Sequence, residues 1–81
     1  MTSAEVRKFQ KAEPFEPFDI YLADGRVIHV PHPDFVYVPP INERTIVVTD
    51  AKGVPENINI LVVVSIKPSE NGKSRQRRRA G

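Results

Sequence analysis

The groups with most chemical capacity sit in two stretches. The first is His29-Val30-Pro31-His32-Pro33-Asp34, which holds two imidazoles and a carboxylate. Such groups can ligate a divalent metal. His29 falls on a strand, however, and the prolines fix the rest, so a three-ligand site needs a further acid from elsewhere. A plainer assignment pairs His29 with Asp19 across a hairpin and leaves His32 and Asp34 to cap a turn. No metal or other cofactor is expected. The second stretch is Lys73-Ser74-Arg75-Gln76-Arg77-Arg78-Arg79. Clustered arginines attract phosphates and release their counterions. Lys73, Arg75, Arg77, Arg78 and Arg79 are therefore the candidate nucleic-acid contacts. No aromatic residue is interleaved to stack a base, and the competing reading is a solvated tail that aids solubility.

Acid–base catalysis needs a positioned carboxylate or histidine in a cleft. Asp19, Asp24, Asp34 and Asp50 fall at turns or on outer faces, and turn chemistry accounts for Asp24 and Asp50 by itself. No nucleophile–base pair is visible. Gly25 and Gly53 are isolated, so they do not make a phosphate loop. The expectation is a protein that is not an enzyme.

Composition narrows the classes further. Eighty-one residues make one domain with a small core. The absence of cysteine removes disulfides, thiol catalysis and cysteine-based metal sites, and is compatible with a reducing compartment. No apolar run has signal-peptide or transmembrane length. A cytoplasmic protein without membrane contact is expected. The net charge of +2 hides an asymmetry. Residues 69–81 carry five basic side chains against Glu70, a net +4, whereas residues 1–68 carry seven basic and nine acidic ones, a net −2. The basic character belongs to the tail.

The elements that position these groups follow from local patterns. Thr2 to about Ala12 reads as a short helix, with Thr2 and Glu5 spaced as a capping box and Val6 and Phe9 facing the core. Glu13-Pro14 ends it. Phe18 to Val30 reads as a β-hairpin around Asp24-Gly25. A three-residue loop with Gly25 left-handed places Ile20 opposite Ile28, Phe18 opposite Val30 and Asp19 opposite His29, which matches like with like. A third strand is expected at Phe35–Val38 and a fourth at Thr45–Thr49. A turn follows at Asp50–Gly53, then an irregular return at Val54–Glu56. Ile58–Ile66 reads as one last strand. Its unbroken apolar half implies that both faces are covered, the second by the helix or by another subunit, and oligomerisation is the economical explanation. Ile58, Ile60, Val62, Val63 and Val64 are the candidate oligomer interface.

Two resemblances accompany these patterns. Pro14-Phe15-Glu16-Pro17-Phe18, Leu22-Ala23-Asp24-Gly25-Arg26 and Val30-Pro31-His32-Pro33-Asp34-Phe35 resemble a group of small uncharacterised bacterial proteins, over roughly residues 3–67. That implies bacterial origin and one compact domain, and carries no activity over. The short helix, Ile20-Tyr21-Leu22-Ala23-Asp24-Gly25 and the closing Val62-Val63-Val64-Ser65-Ile66-Lys67-Pro68 are similar to the bacterial Sm-like RNA chaperone. That family puts a helix on a strongly bent five-stranded sheet and forms rings through strand edges. Its first motif has asparagine where Asp24 stands. Its second, a lysine–histidine pair before the last strand, is missing, with Glu56-Asn57 near its place.

The expected fold is mainly β with one N-terminal helix: a small five-stranded antiparallel barrel or bent sheet, Sm-like or SH3-like. It occupies residues 1–68, with a basic tail over 69–81. The expected core is Val6, Phe9, Phe15, Phe18, Ile20, Ile28, Val30, Ile46, Val48, Ile60, Val62 and Val64. Two functions follow. One is a nucleic-acid-associated module acting through the tail. The other is a protein-interaction or assembly module that offers the last strand to a partner or to a second copy.

Overall fold

Turn chemistry sets the first sheet. In the computed structural model, which describes residues 1–41 and 43–69, β1 (Phe18–Leu22) and β2 (Val27–Val30) pair with Phe18 opposite Val30, Asp19 opposite His29 and Ile20 opposite Ile28. This is the register that the three-residue loop demands. Leu22 N–H donates to the Arg26 carbonyl at 2.9 Å, and Gly25 N–H to the Leu22 carbonyl at 3.0 Å. Gly25 has φ 94°, a region that a side chain disfavours. A Cβ there would meet no atom within 4 Å, so the penalty is one of backbone conformation alone. Gly25→Ala should lower stability by about 1–2 kcal/mol, readable as a drop in the thermal midpoint with no change in the folded spectrum.

Helix α1 (Ser3–Gln10) starts at the Thr2–Glu5 capping box, which forms in both directions. Val6 is fully buried, and the Phe9 and Phe15 rings lie 5.4 and 5.9 Å from that of Phe18. Gln10 Nε2 donates to the carbonyls of Val36, at 2.6 Å, and Pro33, at 3.2 Å. The helix is thereby tied to the chain after β2. There Pro33–Phe35 forms a single 3-10 turn that leads into β3 (Val36–Tyr37). His32 occupies its capping position but makes no side-chain capping bond, so the capping role expected of it is not realised.

β4 (Thr45–Thr49) forms over the expected residues, with Ile46 and Val48 inward. The Asp50–Gly53 turn is fixed by Asp50 Oδ1, which accepts from the Lys52 and Val54 amides at 2.8 and 3.0 Å. The return is not irregular. It begins β5 (Pro55–Asn59), paired with β4 along its whole length.

The largest correction concerns the Ile58–Ile66 run, which is not one strand. Asn59 Oδ1 accepts from Leu61 N–H at 2.8 Å and caps a 3-10 turn at Ile60–Val62; β6 (Val63–Pro68) follows. β5 joins a sheet in the order β3-β4-β5, and β6 joins the other in the order β2-β1-β6. Among the described residues six strands form instead of five, in two antiparallel three-stranded sheets. The 3-10 turn is bonded to both sheets: Ile60 N–H donates to the Arg44 carbonyl at 2.7 Å, and Ala23 N–H to the Val62 carbonyl at 2.8 Å.

The inner faces of the two sheets share one core with the helix. Of the expected members, Val6, Phe18, Ile20, Val30, Ile46, Val48 and Ile60 are buried, and Phe9, Phe15 and Ile28 pack partly buried against them. Val62 and Val64 are instead exposed, at 42% and 64%. The break at Asn59 shifts the phase of the run, so Val63 turns inward in their place. Leu22, Val36, Val38, Ile58 and Val63 complete the core. Ser69 is also buried, and its N–H donates to the Pro17 carbonyl at 2.9 Å. The packed body thus includes the residue after Pro68.

Candidate functional site

The sequence-derived candidates divide three ways. Lys73, Arg75, Arg77, Arg78 and Arg79 lie outside the described residues. Of the proposed interface, Ile58, Ile60 and Val63 are core residues, while Val62 and Val64 face outward beside Leu61, which is 83% exposed. Only Val62 and Val64 therefore offer side-chain surface. The third set, His29, His32 and Asp34, is not assembled into a ligand cluster. Among the described residues no group of three or more His, Cys, Asp or Glu side chains could hold a metal ion. His29 Nδ1 lies 2.7 Å from Asp19 Oδ1, the cross-strand pair that the register implies. The His32 ring packs beside Phe35, with centroids 5.9 Å apart.

Sequence reasoning missed a grooved surface between the sheets. Its volume is about 510 Å³. Arg26 to His29 and Pro31 form one wall, and the end of the β4–β5 hairpin forms the other. Phe35, Val48 and Val54 supply apolar lining. Arg26 closes one end. Its guanidinium reaches Glu56 in a two-point contact of 2.9 and 3.2 Å and Asp24 at 3.1 Å. All three side chains are half exposed, so solvent screens the pairs. The Arg26 backbone N–H, and then its guanidinium, hold Asp24 below the usual carboxylate range. Glu56, then Asp24, hold the guanidinium proton more tightly still. The Asp24 contribution is present above the ordinary carboxylate pKa and fades as pH falls through the lowered value.

A further group of side chains faces outward on the β2-β1-β6 sheet. Strand alternation puts Asp19 and Tyr21 of β1, Val27 and His29 of β2, and Ser65 and Lys67 of β6 on one side. Lys67 Nζ lies 5.1 Å from the centre of the Tyr21 ring, within cation–π range. The alternation of β1 carried the signal for Tyr21; the pairing of Lys67 with it required the β1–β6 register.

Two surfaces are thus present: an apolar groove with a charged rim, and an outer sheet face with one aromatic and one cationic side chain. No family model matches the chain, and no curated protein or solved structure matches it. Among the described residues no helix is long and apolar enough to cross a membrane.

Proposed function

We propose that the protein is a non-enzymatic nucleic-acid-associated module, in which the outer face of the β2-β1-β6 sheet and the basic segment after it act together. The observation that carries this reading is positional. β6 ends at Pro68 beside Lys67 and Tyr21, and the five basic residues between positions 73 and 79 continue from that same strand. The body is net acidic, so phosphate attraction rests on this one end. The finer fold assignment, Sm-like or SH3-like, belongs to the same proposal. It is supported by the passage of β2 into β3, and of β5 into β6, from one three-stranded sheet to the other, as in a strongly bent sheet. A cytoplasmic location fits the cysteine-free composition.

The test is fluorescence anisotropy with a single-stranded oligonucleotide over a salt series. If all five basic side chains meet phosphates, log K should fall against log salt with a slope of about −3.5. The full chain carrying Lys73→Gln, Arg75→Gln, Arg77→Gln, Arg78→Gln and Arg79→Gln should lose the slope and most of the affinity. Unchanged binding would remove the proposal.

One observation favours a second reading, an assembly module. Leu61, Val62 and Val64 form an exposed apolar group where β6 begins, and such groups mark contact surfaces. If they join two copies, Val64→Lys should give a soluble, folded monomer by light scattering. A wild-type chain that is already monomeric at the same concentration would rule the reading out.

A further inference from the structure

Sheet edges display unpaired backbone groups, and folded proteins usually blunt them. Among the described residues four edges are open, and three are blunted. β3 is two residues long and runs into Pro39-Pro40. β5 opens with Pro55-Glu56 and β6 closes with Lys67-Pro68. β2, Val27-Ile28-His29-Val30, contains no proline, no lysine and no bulge, and among the described residues it pairs only with β1.

The hairpin register says which of its groups are free. The bond from Leu22 N–H to the Arg26 carbonyl makes those two residues a hydrogen-bonded pair. Antiparallel alternation then turns Ile28 and Val30 toward β1, and turns the N–H and C=O of Val27 and His29 away from it. These outward groups border the groove of about 510 Å³, whose other wall is the β4–β5 hairpin. A row of backbone donors and acceptors beside an apolar trough suits an added strand, which offers its own backbone to the edge and alternate side chains to the trough. The rim also has a sign. Asp50 and Glu56 line the groove with Arg26 as the one lining cation, Asp24 already shares that guanidinium, and Asp19 sits behind His29.

We propose that the β2 edge is a strand-addition site for an extended peptide of another protein, apolar at alternate positions and cationic between them. Strand addition satisfies the Val27 and His29 backbone groups. The apolar side chains lie along Phe35, Val48 and Val54, and the cationic ones, which alternate to the opposite side, face Asp19 across β2. This site uses the backbone edge of β2, whose Val27 and His29 side chains border the outer sheet face used above, and does not use the basic segment.

The test uses the full-length isotope-labelled protein and a capped seven-residue peptide of alternating valine and lysine. On titration, the Val27 and His29 amide resonances should shift. At ten times Kd their hydrogen exchange should slow by about tenfold. The same peptide methylated on alternate backbone nitrogens should do neither, and a valine–glutamate peptide should bind more weakly. Val27→Pro removes one outward donor without touching the β1 ladder, and should weaken binding in a chain whose other amide shifts are kept. Equal binding by the methylated peptide, or unmoved Val27 and His29 amides, would overturn the proposal. So would protection of these two amides in the absence of peptide. If that protection disappeared on replacing the five basic residues with serine, the edge would belong to the chain's own C-terminal segment. If it rose with protein concentration, the edge would belong to a second copy.

Discussion

The Phe18→Ala chain should be largely unfolded at physiological temperature. Phe18 is fully buried at the centre of an aromatic group, with the rings of Phe9 and Phe15 against it. Its backbone stands between Val30 on one side and Pro68 on the other. Removing such a ring costs about 3–5 kcal/mol, including the cavity left behind. A domain of this length has about 4–12 kcal/mol to lose, and small cores sit low in that range. The loss also spreads. Helix α1 has eight residues, too few to stand alone, and part of its seat is the Phe9–Phe18 contact. Helical and strand signals in circular dichroism should therefore disappear together. Phe15→Ala, at a partly exposed ring, should keep a cooperative transition. A Phe18→Ala midpoint within a few degrees of wild type would refute the account.

Val63→Lys should unfold the protein, whereas Val64→Lys, one residue on, should not. Val63 is 3% exposed and faces the core opposite Leu22; Val64 faces solvent. An ammonium at position 63 would have no carboxylate among the core side chains, and burying it unpaired costs several kcal/mol. At position 64 the same group stays in water. Urea titrations of the two variants make the comparison directly. Similar midpoints would mean that β6 does not hold its alternation.

The hairpin was legible because its determinants are local. Asp24-Gly25 supplies the turn, the flanking alternation chooses the register, and the Asp19–His29 pair follows from both. The capping box at Thr2 and Glu5 was equally explicit. The division of Ile58–Ile66 was not, because that run contains no proline or glycine. Its break is made by the Asn59 side chain, whose tendency to bond the amide two residues on was outweighed by the apolar run after it. The groove was illegible for another reason. Its two walls are more than fifteen residues apart in sequence, and only the placement of the sheets brings them together. No residue type in either wall announces a site.

The pairing of β6 with β1 also bears on the order in which the chain can fold. Phe18 lies beside Pro68, so this contact closes a loop spanning more than half of the sequence. The second sheet can assemble from near neighbours, since β3, β4 and β5 follow one another. The first cannot: its central strand waits for β6 to be synthesised. Until then β1 and β2 form a two-stranded hairpin, marginal in water, with Phe18, Ile20 and Val30 uncovered. Such long-range closure is slow. The nascent chain therefore carries its greatest risk of misassociation before β6 has emerged, and a truncation that removes β6 should be insoluble rather than merely weakened.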